Sequence, residues 1–287
     1  MVRMSRFRNI AIGSTMLWIT IFVIVPYLFV LLFSFFMRDP EKIIAMTFTW
    51  KNYRDIFSPI FLIVCWNSLL LAFGTTVITL LVAYPFAFIL GRIPESIRRI
   101  LLLLMIIPFW TSSLIRTYAL IILFKANGII NTLLLYLGVI DEPLTMLYTQ
   151  MAVFIGLVYT LLPFMILPIY SSIQKLDLSL IEAARDLGAT PRHIFFRIIL
   201  PLTLPGIVAG STMVFLPALG LFYIPDLLGG ARVLLIGNFI KNQFLTTSNW
   251  PLGSAASVIL TLIMCLFLYG YFLSSRKART SGMGEMA

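Results

Sequence analysis

Charge is scarce in this 287-residue chain: 11% of its residues are Asp, Glu, Lys or Arg, against 60% hydrophobic, and the mean hydropathy is +1.02. That excludes a water-soluble domain, because too few polar side chains exist to cover a surface in contact with water. Histidine is nearly absent. His193 stands alone with no ligand spacing around it, so no metal site is read from the sequence. The two cysteines, Cys65 and Cys265, lie in or beside apolar runs and imply no disulfide framework. The pattern G-x-x-x-x-G-K-[ST] occurs nowhere, so no phosphate-cradling loop of that kind is expected. The net charge of +10 is divided among the gaps between apolar runs rather than gathered in one patch. Membrane topology demands that distribution, and nucleic-acid binding does not.

What is abundant is long apolar sequence. A helix needs about 20 such residues to cross a bilayer, and six segments meet that length: about 10–36, 61–90, 100–123, 146–171, 205–225 and 254–274. The first is too long for the apolar part of a cleavable signal and reads as an uncleaved span. Helices are expected throughout, because backbone groups in lipid must be satisfied within the segment. The fold class is therefore an all-α membrane protein, a single transmembrane domain over residues 1–287. Pro26, Pro85, Pro108, Pro163, Pro168 and Pro217 lie inside the spans and predict kinks. The N-terminus, the loops near 91–99 and 172–204, and the C-terminus carry 13 Lys or Arg, against 7 in the loops 37–60, 124–145 and 226–253. That bias places both termini in the cytoplasm, with 172–204 as a cytoplasmic loop.

This loop carries more design than a connector needs. Ser179 with Glu182 three residues later has the form of a capping box, and Gly188 suits the left-handed position that ends a helix. Leu180, Ala183, Ala184 and Leu187 recur at helical spacing and predict an apolar face with a small-residue centre. Thr190 followed by Pro191 starts a second helix, expected to stop at Pro201. Two short helices at an angle form a knob, and the pattern alone fits either of two roles: a helix lying on the lipid headgroups, or a docking surface whose small residues permit a partner's backbone to approach closely.

The order Glu182-Ala183-Ala184, three residues, Gly188, nine residues, Ile198-x-Leu200-Pro201 resembles in full the EAA loop of ABC-importer permease subunits, set between the fourth and fifth of six spans. The resemblance implies a type I importer permease of the MetI-like fold in the bacterial cytoplasmic (inner) membrane. It implies that Glu182, Ala183, Ala184, Leu187 and Gly188 couple the chain to a separate cytoplasmic ATPase dimer. ATP and Mg2+ would be bound there, with no cofactor in this chain. Further segments are similar to the polyamine (spermidine and putrescine) permeases of that family: Ile107-Pro108-Phe109-Trp110-Thr111, Leu114-Ile115-Arg116, Tyr170-Ser171-Ser172-Ile173, Pro217-Ala218-x-Gly220-Leu221-Phe222-Tyr223 and Asn52-Tyr53. That likeness implies a second, homologous permease subunit and a periplasmic polyamine-binding protein as partners, with lipid around the spans.

A polycation needs carboxylates or aromatic faces along its path. Asp226, just past the fifth span, is the candidate carboxylate, and Trp110, Tyr53 and Tyr223 are the candidate aromatic residues. Arg116 lies inside a span; without the family likeness it would point to an anionic solute, and with it the expected role is structural. An importer of another small solute therefore remains the alternative. A secondary transporter would show repeated halves and buried coupling-ion sites, and an intramembrane enzyme would show clustered acids or histidines; neither pattern is present in the sequence.

Overall fold

The computed structural model describes residues 2–39 and 43–284. In chain order the elements are α1 (Val2–Ile19), a π turn (Thr20–Ile24), α2 (Val25–Phe33), β1 (Phe36–Asp39), β2 (Ile43–Phe48), α3 (Lys51–Ile56), α4 (Pro59–Leu90) and α5 (Glu95–Ile106). A 3-10 turn (Ile107–Trp110) leads to α6 (Ser113–Phe124), α7 (Ile129–Tyr136), α8 (Gln150–Gln174), α9 (Leu178–Asp186) and α10 (Pro191–Ile194). A second π turn (Phe195–Ile199) joins α10 to α11 (Leu200–Gly220). A third π turn (Pro225–Gly229) and a short 3-10 turn (Gly230–Arg232) precede α12 (Ile236–Leu245) and α13 (Trp250–Gly284).

Six helical stretches are long and apolar enough to cross a membrane: Ala11–Phe33, Pro59–Leu90, Ser113–Tyr136, Gln150–Gln174, Pro191–Gly220 and Trp250–Phe272. Four follow the expected spans closely, and two do not. The third was expected as one rod over 100–123, but the helix breaks within it. Pro108 removes a backbone donor in the 3-10 turn, Thr111 is extended at φ −88° and ψ 146°, and α6 starts afresh at Ser113. The 12 residues of α5 reach only about 18 Å, short of a bilayer core of about 30 Å.

The fifth span was expected over 205–225 after a stop at Pro201. Instead the helix runs from Pro191 to Gly220, through Pro201 and Pro205. Proline in a regular helix lacks the N–H for the carbonyl four residues back and collides with it. The turn just before Pro201 is wound wider, with the Leu200 N–H donating to the Phe195 carbonyl five residues back. That turn absorbs the mismatch, so the helix continues.

Packing divides the chain into two compact units, residues 1–63 with 239–263, and residues 64–238 with 264–287. In the first, β1 and β2 form an antiparallel hairpin, with Arg38 opposite Ile44, a β element that the sequence reading did not foresee. Asn52 pins the start of this hairpin, donating to the carbonyls of Ser34 (2.9 Å) and Phe36 (2.8 Å). Phe35, Phe48, Trp50 and Tyr53 stack beside it.

In the second unit α8 packs along α11 at close range. Gly206 and Gly210 on α11 form a small-xxx-small pair of the kind that lets helices approach in lipid. A Cβ on Gly206 would lie 2.6 Å from the Pro168 carbonyl, and one on Gly210 would lie 3.1 Å from the Met165 carbonyl. Tyr84 on α4 ties in the same helix through a 3.0 Å hydrogen bond with the Thr203 hydroxyl. Gly206→Leu is expected to lower the melting temperature of the purified protein, with overpacking worth about 1–3 kcal/mol. Gly13→Ala, inside α1 with no atom within 4 Å of the new carbon, should not lower it in the same fluorescence-detected thermal assay.

Candidate functional site

The loop after α8 is built from its caps inward. Asp177 is the N-cap of α9, its carboxylate accepting the Ser179 N–H at 3.0 Å. The expected capping box of Ser179 and Glu182 is therefore not formed. A carboxylate two residues earlier is at least as good a cap as a serine hydroxyl, and its charge faces the positive end of the helix. Ser179 then becomes a helical residue, and Glu182 is left exposed on the helix surface. The hydrogen bonds from Ser179 to Asp177 hold the Asp177 carboxyl below the usual carboxylate range.

The end of α9 follows the expectation. Gly188 has φ +76°, and its N–H donates to Arg185 while the Ala189 N–H reaches Ala184, at 2.8 and 3.0 Å. These two bonds are the Schellman closure, which satisfies carbonyls that the helix end leaves open. No atom lies within 4 Å of a Cβ on Gly188, so glycine serves conformation here and not space. Thr190 caps α10 by accepting the His193 N–H at 3.4 Å, with Pro191 first in the helix.

The apolar face of α9 is not the one expected. Ile181 and Ala184 are the buried residues, packed with Ile194 and Ile199 against Phe88, Phe195 and Ile198. Leu180, Ala183 and Leu187 point outward, and Leu187 is 89% exposed. The helix thus has two faces: Ile181 and Ala184 fasten it to α4 and to the turn before α11, and Leu180, Glu182, Ala183 and Leu187 present themselves to whatever lies beyond. A linear reading could not choose between these faces, because Ile181 and Leu180 are equally apolar. The neighbouring Phe88 and Ile199 made the choice.

The segment after α11, expected to open a loop at residue 226, is instead a buried π turn packed on α8. Pro225, Leu228 and Gly229 are buried, the Leu228 carbonyl accepts the Tyr148 N–H at 2.8 Å, and Ile224 and Leu228 press on Gly156 of α8. Asp226 is half-buried in this turn and accepts a short hydrogen bond from the Asn238 side chain. Asn238 also donates to the Phe222 carbonyl at 2.9 Å. Tyr223 lies three residues before Asp226, just outside this turn, and its ring stands edge-on to Phe222. Trp110 sits elsewhere, at the end of the 3-10 turn before α6, and is 82% exposed. The Tyr53 hydroxyl shares a 2.8 Å hydrogen bond with Ser34. Arg116 lies with its guanidinium 5.1 Å from the centre of the Phe109 ring, a cation–π arrangement rather than a salt bridge, and its Nε is enclosed without a hydrogen-bond partner.

Sequence reasoning gave no structural role to three asparagine side chains, those of Asn52, Asn131 and Asn238, exposed by 7%, 0% and 2%. Asn131 grips its loop from both sides, donating to Leu144 at 2.9 Å and accepting the Leu144 N–H at 2.9 Å. One such residue belongs to each of the loop regions 37–60, 124–145 and 226–253. The available signal was an amide side chain amid apolar sequence, which is costly to bury unless bonded.

Six helices long and apolar enough to cross a membrane, with a short capped helix seated between the end of α4 and the turn before α11, define a multi-pass helical membrane protein. Residues 83–279 match the family described as "Binding-protein-dependent transport system inner membrane component", and the chain belongs to that family. It is 49% identical over 272 residues to the spermidine/putrescine transport system permease protein PotB of Haemophilus influenzae, covering 95% of each chain. It is 51% identical over 259 residues to the PotB protein of Escherichia coli, covering 90% of this chain and 94% of that one. Among solved structures, a chain of a bacterial alginate ABC transporter in complex with an alginate-bound periplasmic protein superposes with a TM-score of 0.79 over 96% of both chains. At 17% identity that match speaks for the fold alone.

The Asp177 cap generates a pH dependence. Because its folded carboxyl titrates below the unfolded one, the stabilisation is complete above the ordinary carboxylate range and is lost as pH falls through the lowered folded value. The protection factors of the α9 amides, taken relative to the intrinsic exchange rate at each pH, should fall on acidification through that window, and Asp177→Asn should flatten the response. Gly188→Val should destabilise the loop by about 1–2 kcal/mol through the left-handed backbone, read in the same exchange experiment, while Gly188→Asn should be tolerated better.

Proposed function

We propose that this chain is a permease subunit of an ATP-driven importer of spermidine and putrescine in the bacterial inner membrane. Near-50% identity across almost the whole chain to permeases of that named substrate is the observation that carries the reading. Both termini face the cytoplasm. The partners are a cytoplasmic ATPase dimer that binds ATP and Mg2+, a second homologous permease that completes the pore, and a periplasmic polyamine-binding protein. The chain contributes passage and not catalysis.

Glu182, Ala183, Leu187 and the C-terminal turn at Gly188 form the surface that meets the ATPase, with Ala184 holding α9 from behind. A displacement of α9 passes through Ile181 and Ala184 to Phe88 near the end of α4, to Ile194 of α10 and to Ile199 in the turn before α11. From there it travels along a continuous helix whose glycines lie against α8. A packed wall transmits such a shift because it is too dense to absorb it. At the far end of α11, Asp226 offers a carboxylate for an ammonium group, with Tyr223 beside it in the chain. Trp110 supplies an exposed aromatic face, and Tyr53 a second whose hydroxyl is already engaged. Each contact is weak alone, and weak contacts in series allow release.

The test is uptake of labelled spermidine into proteoliposomes carrying this chain with its partners. ATP-dependent uptake should be competed by putrescine and not by sulfate. Asp226→Asn should raise the half-saturating concentration about tenfold, a loss of ~1.4 kcal/mol. Glu182→Ala should leave the ATPase turning over with little uptake. Stimulated ATPase with no spermidine uptake would retain the importer and remove the polyamine assignment.

A further inference from the structure

Arg92 lies two residues past the end of α4 and is not used by the coupling surface described above. Its position is held firmly. The Arg92 N–H closes the helix end on the Ile89 carbonyl at 2.9 Å, and its guanidinium lies flat over the Phe88 ring, 3.8 Å from the centroid. Gly91 permits the approach that sets this corner, since a Cβ there would stand 2.7 Å from Ile173 near the end of α8. Phe88 in turn packs on the cluster that seats α9. The result is a shallow cavity of about 260 Å³ lined by Arg92, Leu178, Ile181, Glu182 and Arg185. None of its three charged side chains forms a salt bridge with a described residue.

We propose that Arg92 is a second docking arm for the ATPase, and that Arg92 and Arg185 together receive an acidic side chain from the ATPase surface that covers α9. The inference rests on the coupling role given to α9 above. Guanidinium forks match a carboxylate with two parallel hydrogen bonds, and the apolar floor of Leu178 and Ile181 strengthens the attraction by excluding water. Glu182 on the same rim selects the kind of occupant. A protein surface carries a donor for Glu182 alongside a carboxylate for the arginines, whereas a lipid phosphate satisfies only the arginines and is repelled by Glu182. Stacking on Phe88 holds Arg92 in place before docking, so less side-chain freedom is lost when the partner arrives. The arm also gives the ATPase a direct grip on α4, besides its grip on α11 through α9.

The experiment measures binding of the ATPase subunit to the detergent-solubilised permease complex across a range of salt, with uptake per ATP hydrolysed in proteoliposomes. Arg92→Gln should weaken binding about fivefold at low salt and Arg92→Glu further, with the differences shrinking as salt rises. Arg92→Lys should recover only part of the binding, because an ammonium keeps the charge but neither the two-bond fork nor the stack on Phe88, and uptake per ATP should fall in parallel with the loss. Unchanged binding in Arg92→Glu would overturn the arm. So would a loss that is equal at all salt concentrations and accompanied by a lower melting temperature, which would make the stack on Phe88 purely structural. A loss that appears only with anionic lipid present would assign Arg92 to the membrane surface instead. Wild-type permease that binds no ATPase would overturn the coupling reading itself, a failure separable from that of Arg92.

Discussion

Every backbone donor and acceptor that leaves water in this chain must find a partner, and that constraint governs the structure more than any single contact does. In the spans it enforces helix. Where the helices stop it enforces the devices at their ends: the Asp177 cap, the two-bond closure at Gly188, and the Thr190 cap before Pro191. Where proline removes a donor, the wider turn at Phe195–Ile199 lets the helix continue. Where the chain turns back, Asn52, Asn131 and Asn238 supply the missing donors and acceptors. Amide side chains suit this task because each both donates and accepts without carrying a charge.

The same economy shapes the functional surfaces. Helix α9 is too short to be stable alone and persists because Ile181 and Ala184 are seated in a wall built by α4, α10 and the turn before α11. Its outer face is thereby free to carry the exposed Leu180, Glu182 and Leu187. On α11, glycines that bring the helix against α8 also make it a close-packed lever. At its other end Asp226 sits in a turn secured by Asn238, so the candidate substrate carboxylate is positioned by a residue whose other bond, to Phe222, holds the backbone.

Much of this was legible in the residues before any coordinates. Six spans, the family loop, the glycine that ends α9 and the Thr190-Pro191 start all follow from length, period and residue chemistry, which act within a few residues of chain. The readings that changed were those in which two local solutions competed. Asp177 and Ser179 could each cap α9, and the carboxylate prevailed. Pro201 could end a helix or be carried through one, and the wide turn before it carried it through. The stretch 100–123 could be one span, until Pro108 and the extended Thr111 broke it.

What the sequence alone determined is therefore the class of protein and the number of its long apolar helices, because apolar length is a sum over many positions and survives a shift at any one of them. Tertiary structure alone decided which face of α9 is buried, that the segment after α11 folds back beside α8, and that Arg92 shares a cavity with Glu182 and Arg185. Each of these is a contact between segments far apart in the chain. Burial and charge at such a contact are set by the neighbour that arrives, and no local pattern encodes which neighbour that will be.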